Sequence, residues 1–456
     1  MKTWVTGAEV LQLPLGDGQH HVLFNPLGTG GVTVVNEQAR SIVEHFRRPA
    51  TKPDALRDWP GSIREFGRVF GELARLGMIQ PTGQPAKRPD FGRSEVLTAW
   101  MHVTNDCNLD CPYCYLNKTA EPMSEATGRA AVEAVVRSAV AHGFTGVKFK
   151  YAGGEASLNY RLVLLLHDYA ADLAKQHGLD LYATLLSNGT ALPERLINDL
   201  KKRDINVMVS LDGIGEAHDA VRPTKSGKPS FHIVERTIER LVKLDLPPHL
   251  SITITARNSA SLPDVVRFAL SRGLTFSFNL FRDNDCAASF GDLQFEERSM
   301  ISALLDGFQV IEENLPPWSV LGLILDRGQL VQPRQRSCGV GEDYVVVSQS
   351  GNVASCHMEI EKTLGDIFKD DPLELVRHSP QRTLNLISDE KEGCRGCSWR
   401  YWCTGGCTVA TFRATGRYDI KSPNCGIYRA IYPEALRLEG LRLLKYATST
   451  PEPAQV

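Results

Sequence analysis

The chain has 456 residues, more than one hydrophobic core usually supports, which sets an expectation of two to four domains. Its 42% hydrophobic and 23% charged residues exclude a wholly disordered or fibrous chain, and 51 Lys+Arg against 53 Asp+Glu give a net charge of -2, without the basic excess of a nucleic-acid-binding protein. No run approaches the roughly 18 apolar residues of a membrane helix, and Glu9 falls where a signal peptide would carry its apolar stretch, so the expected location is cytoplasmic, with neither nucleic acid nor membrane as partner.

In chain order, His21–Phe24 and Val32–Val35 read as two strands joined across Gly28-Thr29-Gly30-Gly31. That is a turn and not a phosphate loop, because no Lys or following helix suits it. Helices are expected over Glu37–Phe46 and Ile63–Leu76, the second ending at Gly77 with Met78-Ile79 returning to strand. Pro81–Pro89, with Gly83, Pro85 and Lys87, reads as a linker. Beyond it, apolar runs at Leu97–Val103, Val147–Tyr151, Leu181–Leu186, Ile205–Leu211, Leu250–Thr255 and Thr275–Phe281 read as six strands. Helical periodicity fills Glu125–His142, Tyr160–Gln176, Pro193–Lys202, Phe231–Leu244 and Asp264–Arg272 between them. Such alternation predicts an α/β fold with a parallel sheet, and six units instead of eight predict a partial parallel (β/α)6 TIM-like barrel. A parallel barrel feeds its active site from the C-terminal ends of its strands, so the residues just after each strand carry the functional expectation.

Eleven cysteines, an odd count in a large chain without an export signal, favour metal or catalytic use over disulfides. Cys107, Cys111 and Cys114 form a C-x3-C-x2-C group after the first strand. Seven more, Cys338, Cys356, Cys394, Cys397, Cys403, Cys407 and Cys425, lie in the C-terminal quarter, and Cys286 stands alone. A [4Fe-4S] centre takes four thiolates, so three closely spaced cysteines leave one iron open to a substrate or second cofactor. Zinc also accepts thiolates, but the group beside Tyr113 and Tyr115 has no evident fourth protein ligand.

The run Cys107-Asn108-Leu109-Asp110-Cys111-Pro112-Tyr113-Cys114 resembles the signature of radical S-adenosylmethionine (SAM) enzymes. Ala152-Gly153-Gly154-Glu155 resembles that family's GGE motif, Ser187-Asn188-Gly189 its next cofactor loop, and Ser210-Leu211-Asp212-Gly213 with His218-Asp219 and Arg222 the segment typical of its peptide-modifying branch. The resemblance implies that the three cysteines hold a [4Fe-4S] cluster whose fourth iron takes the amino and carboxylate groups of SAM. It implies cofactor contacts from Tyr113, Gly153, Gly154, Glu155, Ser187, Asn188, Asp212 and Arg222. Taken alone, Gly153-Gly154 reads first as a turn after a strand; Ser187-Asn188 has a loop cap, and Asp212 with Arg222 an internal ion pair, as the alternative.

The spacing Cys338-x12-Gly351-x4-Cys356 followed by Cys394-x2-Cys397-x5-Cys403-x3-Cys407 and Cys425 matches the seven-cysteine pattern of the SPASM extension. By that resemblance Cys394, Cys397, Cys403 and Cys425 hold a second auxiliary cluster, and Cys338, Cys356 and Cys407 a first. Three [4Fe-4S] clusters are then expected in all. The first auxiliary cluster would have one iron free for a substrate thiolate, a non-Cys ligand or Cys286. His357 occupies a place where a related sulfatase-maturing group carries an acidic proton acceptor, and an imidazole can do base work near neutral pH; a surface histidine is the plainer alternative. The N-terminal hairpin, three helical stretches and closing strand resemble the winged-helix element that binds leader peptides of ribosomally made, modified peptides, through strand addition at the hairpin edge. A DNA-binding wing or a simple packing domain is the alternative there.

These readings divide the chain into a winged-helix-like recognition element at 1–85, the barrel at 86–324, a SPASM domain at 325–435 and a C-terminal helix and tail at 436–456. The resemblance implies an oxidoreductase that takes hydrogen from a residue of a ribosomal precursor peptide with a leader and installs a thioether or carbon–carbon crosslink, reduced by a flavodoxin- or ferredoxin-type donor. Formylglycine formation in a sulfatase, peptide epimerisation with Cys286 as hydrogen donor, and a non-enzymatic iron–sulfur or zinc docking module are the alternatives.

Overall fold

In a computed structural model the described residues are 2–28, 30–84 and 89–447. Thr29 of the expected turn, Pro85 and Lys87 of the expected linker, and the tail beyond 447 lie outside them. The N-terminal part contains β1 (Thr3–Thr6), β2 (Leu11–Pro14), β3 (His20–Phe24), β4 (Thr33–Asn36), α1 (Glu37–His45), β5 (Ala50–Thr51), α2 (Lys52–Arg57), α3 (Ile63–Arg75) and β6 (Ile79–Pro81). The expected hairpin is β3–β4, paired His21 to Val35 and Val22 to Val34. β2 joins the other side of β3, and β5-β1-β6 make a second small sheet. β1 and β2 escaped the sequence reading because each is a four-residue strand with no fully buried residue to announce an apolar face. α3 starts at a capping box, with Ser62 Oγ accepting from Glu65 N at 3.2 Å and Glu65 Oε2 accepting from Ser62 N at 2.9 Å.

Strand alternation in β3 serves two cores. Leu23 packs with Val35, Ile42, Val43, Phe66 and Phe70 under α1 and α3, whereas Val22 and Phe24 face the main core. There Phe24 meets Trp402 edge-on at 4.8 Å, and Trp402 Nε1 donates to Pro26 O at 2.7 Å. The N-terminal sheet is thus packed between its own helices and the cysteine-rich region. Trp402→Phe keeps an aromatic ring but removes part of the buried indole and strands a buried carbonyl, so a loss of at least about 1–3 kcal/mol in urea-unfolding stability is expected.

The barrel runs β7 (Val96–His102), α4 (Glu125–Ala141), β8 (Gly146–Ala152), α5 (Tyr160–His177), β9 (Asp180–Ser187), α6 (Glu194–Lys201), β10 (Ile205–Ser210), α7 (Glu216–Asp219), α8 (Phe231–Lys243), β11 (His249–Ile254), α9 (Leu262–Ser271), β12 (Phe276–Leu280) and α10 (Glu297–Glu313). β7 to β12 are parallel and lie side by side in sequence order, as the six-unit partial barrel requires. The sheet does not end at the first strand, however. β13 (Tyr344–Val347) pairs in parallel with Thr98–Met101 of β7, and β14 (Asn352–Ala354) and β15 (Gly365–Asp366) continue it antiparallel. The opposite edge, β12, is covered by the segment around residues 323–326, where Leu323 O accepts from Phe278 N at 3.0 Å and Asp326 Oδ1 from Leu280 N at 3.1 Å. α11 (Pro372–His378), α12 (Arg400–Cys403), α13 (Thr408–Thr415) and α14 (Cys425–Tyr446) follow. α14 begins at the last cysteine, inside the interval assigned to the cysteine-rich region, and a Cβ at its Gly440 would lie 2.3 Å from Val22, so that glycine lets the helix rest on β3.

Candidate active site

The three-cysteine loop leaves the C-terminal end of β7, where buried His102 Nε2 and Asn105 Oδ1 are 3.1 Å apart and Asn105 Nδ2 donates to Asn117 O at 2.7 Å. Its outer side is covered by residues 223–225, with Asp110 N donating to Pro223 O at 2.8 Å and Lys225 N to Asn108 O at 3.2 Å. All three thiols are free and line one cavity with Gly153, Gly154, Glu155, Ser187, Asn188, Tyr113 and Arg222. Burial pushes the Cys111 thiol up to about 12 and raises that of Cys107, so a bound cationic centre is what would make them thiolates.

The two glycines are needed against the protein's own backbone. A Cβ at Gly153 would lie 2.3 Å from Thr104 O, and one at Gly154 2.3 Å from Asp106 O. Their absence lets Gly154 N donate to Thr104 O at 2.9 Å and Glu155 N to Asp106 O at 2.8 Å, which fixes the entry to Cys107. Glu155 is buried, and Oε1 accepts from Ser187 Oγ at 2.8 Å and Ser157 N at 3.1 Å while Oε2 accepts from Asn188 N at 2.5 Å. Acceptor capacity for a ligand ammonium remains on Oε2. Asn188 in turn donates to Asn108 Oδ1 at 2.8 Å and reaches Cys107 Sγ at 3.8 Å.

Asp212 and Arg222 form a buried ion pair at 3.1 Å, bridged by the Tyr113 hydroxyl, which donates to Asp212 and accepts from Arg222. Thr253 N donates to the other carboxylate oxygen at 2.7 Å, and Asn258 Nδ2 to Asp212 O at 2.5 Å. The pair therefore ties the cysteine loop to β10 and β11. Of its members Arg222 and Tyr113 line the cavity and Asp212 stands behind them.

His357 lines the far wall, stacked on Trp100 at 4.4 Å with Nδ1 3.0 Å from the Tyr344 hydroxyl. Burial first, then Arg327, Arg282 and Lys150, hold its imidazole well below the ordinary range, which opposes retention of a proton by a base there. Cys286 is exposed in a short turn after β12. That turn is tied to the three-cysteine loop, through Asn284 Nδ2 to Tyr113 O at 3.2 Å, and to α13, through Arg413 to Asp285 at 2.7 Å. The charged and thiol neighbours that act most on Cys286 are Cys114, Asp285, Glu361 and Lys118.

Cys394, Cys397, Cys403 and Cys425 line a second cavity with Trp399, Arg400 and Tyr432. Cys356, Cys407 and Cys338 gather around Val340, and Asn385 Nδ2 lies 3.7 Å from Cys338 Sγ. Among the described residues no three His, Cys, Asp or Glu side chains converge closely enough to hold a single metal ion. The thiols of the 107–114 loop and those of Cys394, Cys397, Cys403 and Cys425 instead line cavities, which suits a group larger than one ion. Sequence reasoning missed Ser251, Thr253 and Asn279, which also line the main cavity. Their signal was present as polar residues at alternate positions of β11 and β12, the face turned to the barrel interior.

Burial lowers His102 and His249 to about 4 and His218 to about 3, with Lys150 adding to the effect on His249 and Arg222 on His218. As pH falls, the unfolded chain binds these protons first. The stability contributed is full above the ordinary value of 6.5 and is lost on the way down to about 4. Urea-unfolding free energy is expected to decline across that window, by about 1.4 kcal/mol per pH unit for each histidine, and less steeply in His249→Asn.

A parallel partial barrel with a three-cysteine loop at the mouth of its first strand defines a radical SAM domain, and residues 101–269 match the family model described as the radical SAM superfamily. The chain is an enzyme with a radical SAM domain over those residues. It is 29% identical over 281 residues to an uncharacterized protein of Methanocaldococcus jannaschii, covering 61% of this chain and 91% of that one. It is 24% identical over 310 residues to the sporulation killing factor maturation protein SkfB of Bacillus subtilis, covering 65% and 68%. It is 22% identical over 335 residues to a cysteine-type anaerobic sulfatase-maturating enzyme of Clostridium perfringens, covering 67% and 86%. Among solved structures, native anSMEcpe with bound AdoMet aligns with a TM-score of 0.62 at 19% identity, over 76% of this chain and 100% of that one. SuiB of Streptococcus suis bound to precursor peptide SuiA aligns with a TM-score of 0.50 at 13% identity, over 93% and 100%. Both likenesses concern the fold. No helix among the described residues is long and apolar enough to cross a membrane.

Proposed function

We propose that this enzyme is a peptide maturase that removes hydrogen from a residue of a ribosomally made precursor and installs a thioether or carbon–carbon crosslink. One observation carries the reading: the cavity is walled on one side by the three-cysteine loop and on the other by His357 and Met358, next to Cys356 of the auxiliary set. Cys107, Cys111 and Cys114 would hold the cluster that binds SAM. Cys394, Cys397, Cys403 and Cys425 would hold one auxiliary cluster, and Cys338, Cys356 and Cys407 the other. When bound, cluster and SAM together supply a reductive cleavage that yields a carbon radical able to take hydrogen from an unactivated carbon.

This chain's own residues position and enclose. Glu155, Ser187 and Asn188 hold the cysteine loop by its entry, and the Tyr113–Asp212–Arg222 group holds its far end against the sheet. Trp100, Leu116, Leu186 and Phe281 give the cavity apolar walls that limit water near the reacting carbon. A leader would add as a strand at the outer edge of β4, whose pairing among the described residues is with β3 alone. A flavodoxin- or ferredoxin-type donor would supply the electron. The likeness to sulfatase-maturating and SkfB-type proteins supports a peptide substrate.

Formylglycine formation is the second reading, favoured by the sulfatase-maturating relative. The surroundings of His357 count against it, because burial first, and then Arg327, Arg282 and Lys150, oppose the proton a base must keep. The test is anaerobic co-expression with a candidate precursor peptide followed by mass spectrometry. A crosslink removes two hydrogens and blocks fragmentation between the linked residues, whereas the same mass loss with an aldehyde that reacts with a hydrazide would mark formylglycine, and an unchanged mass in the presence of SAM cleavage would point to epimerisation; either contradicts the crosslink.

A further inference from the structure

The barrel interior carries cations that no protein carboxylate balances. The register sets Lys150 between Trp100 on β7 and Thr184 on β9. Val147, Phe149 and Tyr151 are buried in the main core, so alternation turns Lys148 and Lys150 to the opposite face, the one that carries Ala152 into the cavity. Arg327, from the segment that covers β12, lines the same cavity.

The other cations there have partners. Arg222 pairs with Asp212, Arg282 with Asp326, and Lys118 with Asp110. Asp326 already accepts from Arg282 at 2.6 Å, Leu280 N at 3.1 Å and the Tyr428 hydroxyl at 2.8 Å, and it makes no hydrogen bond to Arg327. Glu155 is occupied by Ser157, Ser187 and Asn188. Among the described residues Lys148, Lys150 and Arg327 form no ion pair, and Arg327 Nε is buried without a hydrogen-bond partner, although the Cys407 and Cys338 thiols and Asp326 lie close enough to act on Arg327. Desolvated cations left unpaired are costly, and the group that completes such a site is an anion able to take hydrogen bonds from a guanidinium.

We propose that the cavity receives a carboxylate of the substrate peptide, an Asp or Glu side chain at or beside the residue that loses hydrogen, held between Lys150 and Arg327. This rests on the reading of the cavity as a peptide site and names the chemistry it selects. Burial, with Lys148 and Arg327 nearby, lowers Lys150 to about 8, and a carboxylate between the two cations would relieve that repulsion. An amide of the same shape offers no charge and only one acceptor oxygen, so the site would reject it.

The test uses four capped pentapeptides, acetyl-Gly-Ala-Xaa-Ala-Gly-amide with Xaa as Asp, Glu, Asn or Gln, titrated by ligand-observed NMR into the full reconstituted protein with SAM. A carboxylate peptide is expected to bind at least about tenfold more tightly than its amide twin. That preference should disappear in Lys150→Gln and in Arg327→Gln and persist in Lys150→Arg and Arg327→Lys, with iron content as the check on folding. Equal binding of the twins, no binding of any peptide at millimolar concentration, or a preference that survives in both neutral variants would overturn the inference. A wild-type protein that cleaves SAM yet shows no preference removes this inference alone; one that does not cleave SAM removes the functional reading as well.

Discussion

Replacement of Cys107, Cys111 and Cys114 by Ala is expected to abolish reductive cleavage of SAM while leaving the protein folded and the C-terminal clusters in place. The loop's course is set by backbone bonds from Asp110 to Pro223 and from Lys225 to Asn108, and by the Asn105 side chain on Asn117, none of which uses a thiol. The four-cysteine cavity is lined by Cys394, Cys397, Cys403 and Cys425, residues the triple change does not touch. The expected iron loss is therefore about four atoms per chain, one cluster's worth. Formation of 5'-deoxyadenosine by the dithionite-reduced protein is the readout, and residual cleavage at the wild-type rate would mean that the cysteine loop is not the catalytic centre.

Arg222→Met is expected to cost about 3–5 kcal/mol in unfolding free energy, because it leaves the Asp212 carboxylate buried and uncompensated. Asp212 would retain Tyr113 and Thr253 N as hydrogen-bond donors, but the Tyr113 hydroxyl would lose the guanidinium that fixes it. The damage should reach the cysteine loop through Tyr113, so SAM binding falls along with stability. Urea denaturation of Arg222→Met, Asp212→Leu and the double variant decides it. The double variant should be less destabilised than the sum of the singles, since neither charge is then left alone; strict additivity would show that the pair is not coupled.

The barrel was legible because its strands are apolar runs separated by helical periodicity, and the six expected strands lie within about a residue or two of β7 to β12. The glycine pair was legible as a motif, though its reason was not: the clash it avoids is with Thr104 and Asp106, and contact across two loops leaves no trace in spacing. The placement of β13 beside β7 was likewise hidden, since pairing between residues 98 and 344 is a long-range choice made by packing. The cysteine sets were readable because ligand spacing is local for the loop at 107–114 and for 394–407. The environment of His357 was not, because its cations come from Lys150 on β8, Arg282 after β12 and Arg327 beyond the barrel.

The central claim, three separate cysteine sites for iron–sulfur clusters with the one in the barrel doing the chemistry, is tested most directly by iron and sulfide content per chain after anaerobic reconstitution. About twelve irons and as many sulfides are expected for the wild type, on four per cluster. Each should fall to about eight when Cys107, Cys111 and Cys114, or Cys394, Cys397, Cys403 and Cys425, are replaced as a set. Zinc in place of iron, or iron content indifferent to the loss of Cys107, Cys111 and Cys114, would contradict it.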